Sequence, residues 1–455
     1  MKYGKKSKLS IIALLLLGFL SYSCSEKEIK PETPSTQEVL SPTEQKKKMS
    51  TIAQQLIDEM PSSDFRDIND LFVDLTEEYE DYDWDNVEDW AEESWDKTLE
   101  FLGTSEETEE SYRYIYNYIY NDYKSLFLLS NFYGHFTAKN GEWRYSEAKD
   151  LQFIMDDCVI KLEASGNIKK VYVGEWTDWE DYDSDYDYGS DKYVYNEYYD
   201  RIKCTIGLPE KIILTLTKNG ANVVKCVVTT DLSAITDEHF DISKSGLSLT
   251  ALIELNNGYK VDLSKCEYIA NETVSTSLII SKKGKNLLTM GVAADVTDLP
   301  SYNLDAFTSE DNDDIEENFE DANVSKAFVK LDVLGKLQVQ GTINNVRGFL
   351  RKLEKAADND SNGSAFKSYI NQANELMDIN LFYDGGSLVQ AYVELESFRD
   401  EDWDGDYYWE AEPVICFHDG SSYSTIETFF NEYDFDDVID AFEKLLEDYE
   451  DMIEE

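Results

Sequence analysis

Two periodicities divide this chain. Up to about Leu99 the apolar residues recur at helical spacing, and from Asn131 onward they alternate with a period of two. Ser41-Pro42-Thr43-Glu44 is a capping box with proline at the first helical position. The helix it opens carries Met49, Ile52, Leu56 and Met60 on one face and stops before Pro61. Phe65, Ile68, Phe72, Leu75 and Tyr79 mark a second helix, and Val87, Trp90, Ala91, Trp95 and Leu99 a third that ends at Gly103. Tyr112 to Leu129 has the length of a helix and is aromatic on every side, so 41–130 is read as a helical region.

Beyond it, six turn signals separate strand-like runs: Gly166-Asn167, Asn219-Gly220, Asn257-Gly258, Lys283-Gly284, Gly385-Gly386 and Asp419-Gly420. The runs are Cys158–Ala164, Lys169–Gly174, Lys211–Thr217, Val223–Thr230, Leu247–Leu255, Val274–Ser281 and Leu287–Val296. They share a hairpin grammar but no fixed period, so no true repeat is expected. Thr308 to Asn323 reads as an acidic linker and Ala327 to Ile343 as a strand. Helices bearing Val346, Leu350 and Leu353, then Phe366, Ile370, Ala373 and Met377, interrupt the sheet at about 344–379. Asn380–Glu396 and Glu410–His418 return to strand. A helix over 434–454, with Phe435, Val438, Phe442, Leu445 and Tyr449 on its apolar stripe, closes the chain. The predicted fold class is α+β: a long antiparallel β-meander, curved to receive helices on one face, with helical segments at both termini and a helical insertion. The sheet region, 131–455, is either continuous with 41–130 or a second domain.

The first 23 residues change the picture of where the chain resides. Lys2, Lys5, Lys6 and Lys8 precede a short apolar run from Ile11 to Leu20, the proportions of a secretion signal rather than a membrane span. A small residue directly before Cys24 resembles the lipobox cut by lipoprotein signal peptidase. That resemblance implies a mature chain beginning at Cys24, acylated on its thiol and amino group and held to a membrane by those chains. Residues 24–40, with Pro31 and Pro34 among Ser, Thr, Glu and Lys, form a flexible tether with a reach of roughly 20–24 Å. Glu26 and Glu28 are similar to the acidic export tag of some Bacteroidetes surface lipoproteins, with Lys27 interrupting the acidic run.

Charge removes one class of partner. The chain has 41 Lys and Arg against 94 Asp and Glu, and loss of four lysines with residues 1–23 takes the net charge from −53 to −57. Such a chain has no basic footprint for nucleic acid. Apolar residues make up 42% of it, enough to build a core rather than leave it disordered. Cys158, Cys204 and Cys226 fall on the apolar parity of their runs and are read as core thiols, with no spacing that suggests a disulfide framework or a metal site.

Ser130-Asn131-Phe132-Tyr133-Gly134-His135-Phe136, Leu208-Pro209-Glu210-Lys211, Glu254-Leu255-Asn256-Asn257-Gly258-Tyr259 and Phe417-His418-Asp419-Gly420-Ser421 resemble segments of uncharacterised large acidic lipoproteins of gut Bacteroidetes. The resemblance implies an outer-membrane address, surface-exposed or facing the periplasm. It carries no activity and no functional residues.

Only His135, His239 and His418 are present, none three or four residues from another, and no motif for metal hydrolysis, nucleotide binding or a serine nucleophile occurs. A non-catalytic protein is therefore expected, although a carboxylate pair for glycoside hydrolysis would leave no mark in an acid-rich sequence. Glu175–Tyr199 and Phe398–Trp409 alternate aromatic and acidic residues. They point to a glycan-binding face on which Trp176, Trp179, Trp403 or Trp409 stacks on sugar rings and carboxylates accept from hydroxyls. The rival readings are a carrier of lipid or another apolar ligand on a concave sheet, and a structural or adhesive surface protein. Asp400, Asp402 and Asp404 before Gly405, and Asp358, Asp360 and Asn362 before Gly363, have the spacing of half an EF-hand loop. Calcium is the one candidate ion and no organic cofactor is expected. Both loops lack the glutamate that would close the coordination, having Ala411 and Tyr369 at that place.

Overall fold

Ser41 Oγ accepts from the Glu44 N–H at 3.4 Å, and the Glu44 carboxylate accepts from the Ser41 N–H at 2.9 Å. Helix α1 (Pro42–Glu59) therefore starts where its capping box places it. The computed structural model describes residues 38–79, 81–233, 235, 243–297, 323–401, 407–419, 423–425 and 444. The expected signal segment, Cys24, most of the expected tether, the expected acidic linker before residue 323 and, but for Lys444, the expected C-terminal helix lie outside the described residues. Helix α2 (Arg66–Tyr79) follows α1, and α3 (Asp85–Asp96) is the third. Of the described residues, those up to 78, from 248 to 297 and from 323 on form one compact unit, and 79–247 form the other.

In the 79–247 unit the expected helical region ends early. Leu99–Glu110 and Tyr114–Leu128 are strands β1 and β2, not helix. The reason lies in the composition that made the helix ambiguous. Aromatic and β-branched residues on every side of a helix equally furnish both faces of a strand, where they pack well. Six further strands complete the unit: β3 (Gly134–Lys139), β4 (Glu142–Ser146), β5 (Leu151–Met155), β6 (Cys158–Asp187), β7 (Lys192–Lys218) and β8 (Ala221–Asp231). Strand β7 is the axis. It pairs antiparallel with β6 along its length, antiparallel with β8 over 211–218, and parallel with β2 over 193–207. A second parallel pairing joins β3 to β5, so among the described strands of this unit two pairings depart from the antiparallel pattern.

Gly166-Asn167 does not make the expected hairpin. Strand β6 runs straight through it, with a bulge between Ser165 and Ile168. Gly166 has φ +87°, so the positive φ that its sequence advertised serves a bulge rather than a turn. The core of this unit is aromatic. Trp143 is 1% exposed and lies 5.3–5.6 Å from the rings of Tyr79, Trp84 and Phe153, while Trp90 of α3 sits edge-on to buried Phe136 at 4.9 Å.

The other unit carries the meander. Strands β9 (Leu247–Leu255), β10 (Tyr259–Ile269), β11 (Thr273–Lys282), β12 (Lys285–Thr297), β13 (Asn323–Val333) and β14 (Leu337–Asn344) pair in order. The order continues through β15 (Met377–Tyr383), β16 (Ala391–Glu401), β17 (Tyr407–Phe417) and the short β18 (Tyr423–Thr425). The run Ala327–Ile343, expected as one strand, is a hairpin turning at Leu334 and Gly335, both at positive φ. Helices α4 (Val346–Ala357) and α5 (Gly363–Asn374) are the predicted insertion. Met49 and Ile52 of α1 pack on Leu381 and Tyr383, and Phe349 of α4 and Ala373 of α5 pack on Ile343 and Ile379. Residues 379, 381 and 383 share one parity of β15, so all three helices cover the same face of this sheet. Buried Gln45 of α1 donates from Nε2 to the Gln390 carbonyl at 2.7 Å and to the Leu40 carbonyl at 3.0 Å, which satisfies its amide nitrogen where it enters the core.

Candidate functional site

Two stretches 79 residues apart read Tyr-Ile-Tyr-Asn from Tyr114 and Tyr-Val-Tyr-Asn from Tyr193. Their period of two places tyrosines on one face of a strand and asparagine on the other. Strands β2 and β7 lie parallel and in register, so Tyr114 faces Tyr193, Tyr116 faces Tyr195, Asn117 faces Asn196 and Tyr120 faces Tyr199. Identical side chains in register stack as ladders. The rings of Tyr116 and Tyr195 are 5.1 Å apart at 16°, and those of Tyr120 and Tyr199 are 5.5 Å apart at 26°. The register of β6 adds Tyr186, Tyr182 and Trp179 beside Tyr193, Glu197 and Tyr199, and that of β1 adds Glu109 and Glu107 beside Tyr116 and Tyr118. The result is a broad aromatic face with carboxylates set among the rings.

Among the described residues, this four-stranded layer, β1-β2-β7-β6, leaves aromatic rings exposed on both sides. Trp179 on the tyrosine face is 54% exposed and Trp176 on the opposite face 47%. The sequence paired these two tryptophans as one site, but three residues along a strand is an odd step and sends them to opposite faces. Trp179 joins the tyrosines and Trp176 does not.

A layer without a covering core has to be held by its own side chains. On the tyrosine face Arg201 crosses the strands. Its Nε donates to Asp122 Oδ1 at 2.7 Å and its Nη2 to Ser105 Oγ at 3.0 Å, Glu175 lies 3.8 Å away, and its guanidinium lies 4.5 Å from the centre of the Tyr120 ring. The hydrogen bond to Asp122 raises the Arg201 pKa further, and in return holds the Asp122 carboxyl below its ordinary value. On the reverse face a chain of amides runs one way: Thr108 Oγ1 donates to Asn117 Oδ1 at 3.0 Å, Asn117 Nδ2 to Asn196 Oδ1 at 2.7 Å, and Asn196 Nδ2 to Asp183 Oδ1 at 2.6 Å. Each bond polarises the next and the chain ends on a carboxylate. Glutamates along β1 and aspartates along β6 occupy the two outer strands, which discourages pairing with another sheet edge.

The Tyr118, Tyr120 and Tyr199 phenols remain neutral at physiological pH. The Glu197 carboxylate, accepting from the Tyr199 hydroxyl at 2.5 Å, pushes Tyr199 up to about 12, and loss of hydration raises Tyr118 and Tyr120. The free polar groups of the face are therefore carboxylate acceptors and phenolic hydroxyls.

The remaining predicted residues fall elsewhere. Trp409 belongs to the meander unit, where its ring packs on Gly363 so closely that an added Cβ would lie 2.4 Å from it. Lys367 Nζ is 4.4 Å from the centre of that ring, and both residues border a cleft of about 500 Å3 with Arg399 and Tyr407. Trp409 is thus engaged by its own unit rather than presented on a flat face. Trp403, Asp402 and Asp404 lie outside the described residues. Asp400 accepts from the Tyr408 hydroxyl at 3.3 Å on the ladder of β16 with β17. In the other loop Asp358 is the C-cap of α4, the Asp360 carbonyl accepts from the Trp409 N–H, and Asn362 Oδ1 caps α5 through the Ala365 N–H. The spacing that suggested calcium thus serves a helix-to-helix junction, and no group of three or more metal-ligating side chains occurs among the described residues.

His135 Nε2 lies 2.6 Å from Asp150 Oδ1, with Lys161 Nζ 3.1 Å from the same carboxylate. Against the upward push of burial, hydrogen bonds from His135, Gln152 and Lys161 draw Asp150 down to about 2. Cys158, Cys204, Cys226, Cys266 and Cys416 form no disulfide; of the three expected core thiols Cys158 is buried but Cys204 and Cys226 are only half-buried, while Cys416 is buried and Cys266 exposed. Comparisons with protein families, with curated proteins and with solved structures find no match to this chain.

Sequence reasoning missed β2 as half of the site because it sought repeats among the aliphatic hairpins. The signal was present: the Tyr-x-Tyr-Asn pair at a constant offset.

Proposed function

We propose that this chain is a lipid-anchored, non-catalytic binding protein of the outer membrane whose ligand is a glycan held on the tyrosine face. The observation that carries the reading is the in-register ladder of Tyr114, Tyr116, Tyr120, Tyr193, Tyr195 and Tyr199 with Trp179, of which Tyr114, Tyr193 and Trp179 are exposed and the others half-buried, interleaved with carboxylates. Flat rings offer stacking to the apolar faces of sugars, and acceptors beside them suit hydroxyl donors. The apolar-carrier reading is weaker, because α1, α4 and α5 fill one face of the meander with their own side chains. The anchor rests on the lipobox resemblance at Cys24.

Two experiments test this. Cys24→Ala is expected to move the protein from the membrane pellet to the soluble fraction, since stable attachment takes two or more acyl chains. A variant that still pellets after a high-salt wash would refute the anchor. For the ligand, pull-down on insoluble polysaccharides followed by calorimetry with soluble oligosaccharides is expected to show binding. Loss of the stacked pair through Tyr116→Ala with Tyr195→Ala should weaken it about 10-fold. Undiminished binding by a folded double variant would place the site elsewhere.

A further inference from the structure

We infer that the tyrosine face takes an extended, uncharged polysaccharide chain lying along strands β2 and β7, rather than a chain end or a polyanion. The inference rests on the glycan reading and adds to it the form and charge of the ligand.

The form follows from the register. Tyr114, Tyr116, Tyr118 and Tyr120 occupy successive same-face positions of β2, a strip roughly 20 Å long at the ordinary strand rise. Tyr193, Tyr195 and Tyr199 run level with them on β7 because the two strands are parallel and in register. Tyr186, Tyr182 and Trp179 make a third row on β6. Repetition along one axis is the mark of a polymer site, since a terminal sugar needs an enclosed pocket and gains nothing from rings far along the strand. Trp179, Tyr182 and Tyr193 are each half exposed or more, so the strip is a surface to lie on rather than a pocket to enter.

The charge follows from what is left unpaired. Of the cations on this face among the described residues, Arg201 is committed to Asp122, Lys203 lies 3.4 Å from Glu175 and Lys124 lies 2.8 Å from Glu100. Glu107 and Glu109 flank the rings from β1, and Glu197 sits within the β7 row. A ligand carrying uronate or sulfate groups would bring negative charge against these carboxylates without a free cation to meet it. One rich in hydroxyl donors and free of negative charge complements them.

The experiment is calorimetry of the mature chain with linear neutral oligosaccharides of glucose, mannose and xylose from one to eight residues long, beside size-matched oligogalacturonates. For at least one neutral series, affinity is expected to rise with length to about four residues and then level, the length of the strip. Tyr120→Ala and Tyr195→Ala should each lower affinity about 3- to 10-fold for the long oligomers and less for the short ones. Tyr195→Phe, which keeps the ring, should retain the length dependence and shows that loss in the alanine variant is not misfolding. Oligogalacturonates should bind at least about 10-fold more weakly at low salt, the gap narrowing as salt is added. A monosaccharide that binds as tightly as the octamer, or a galacturonate that binds as well as the neutral chains, would overturn the inference and leave the glycan reading standing. Binding to none of the carbohydrates would overturn both.

Discussion

Trp143→Ala is expected to destabilise the 79–247 unit by about 3–5 kcal/mol, the largest effect of any single substitution outside the meander. The ring is 1% exposed and meets Tyr79, Tyr82, Trp84 and Phe153 at centroid separations of 5.3–5.9 Å. Its main chain also ties the preceding segment to strand β4: the Trp143 carbonyl accepts from Asn86 Nδ2 at 2.9 Å. Truncation would open a cavity walled by large rigid rings that cannot collapse into it, which is the condition for the upper end of the cost. Trp84 is a built-in control. It touches the same ring but is 39% exposed, so Trp84→Ala should cost markedly less. Urea unfolding followed by near-ultraviolet circular dichroism reports on this cluster directly. A loss below about 1 kcal/mol for Trp143→Ala would mean that the aromatic core is not the one described.

Arg201→Ala is expected to loosen the four-stranded layer by about 2–3 kcal/mol at neutral pH. An exposed ion pair would give less than 1 kcal/mol, but the Arg201 and Asp122 side chains are only 24% and 23% exposed. Removing the guanidinium leaves Asp122 without its counter-charge, and also removes the hydrogen bond to Ser105 and the stacking on Tyr120. The effect has a definite pH dependence. Asp122 titrates below its unfolded value, so its contribution is fully present above that value, near pH 4, and is lost as pH falls through the lower folded value. The difference between wild type and variant should therefore shrink on going from pH 7 to pH 3. Hydrogen exchange of β1 and β2 amides at the two pH values makes the comparison. An equal difference at both would show that Arg201 acts through packing alone. Arg201→Lys keeps the charge without the planar fork, and should recover only part of the loss.

The tyrosine face and the amide chain behind it show why a layer can stand with little core. Burial of apolar surface is replaced by cross-strand ladders, each modest and each dependent on register. On the proposed reading, that dependence links stability to recognition. A one-residue slip of β7 against β2 would send Tyr193, Tyr195 and Tyr199 to the amide side and Asn196 to the ring side, so the ladders that hold the strands also fix the aromatic face.

By itself the sequence determined the helix start at Ser41, the helices carrying Met49, Ile68 and Trp90, the α4–α5 insertion, and most hairpins of the meander. Each is set by contacts within a few residues: caps, a 3.6-residue apolar stripe, or glycine at positive φ. Glycine alone did not tell a turn from a bulge, and Gly166 became a bulge because β7 continues past it as a partner. The assignment of 112–129 failed for the same kind of reason. Tyrosines on all sides fit a helix or a two-faced strand, and only pairing with β1 and β7 chooses the strand. Tertiary structure alone decided the site. Trp176 and Trp179 are three residues apart yet on opposite faces, whereas Tyr116 and Tyr195 are 79 positions apart yet stacked. Proximity along the chain fixes which face a side chain takes, but which strands lie side by side is fixed by long-range register, and a platform is made of strands side by side.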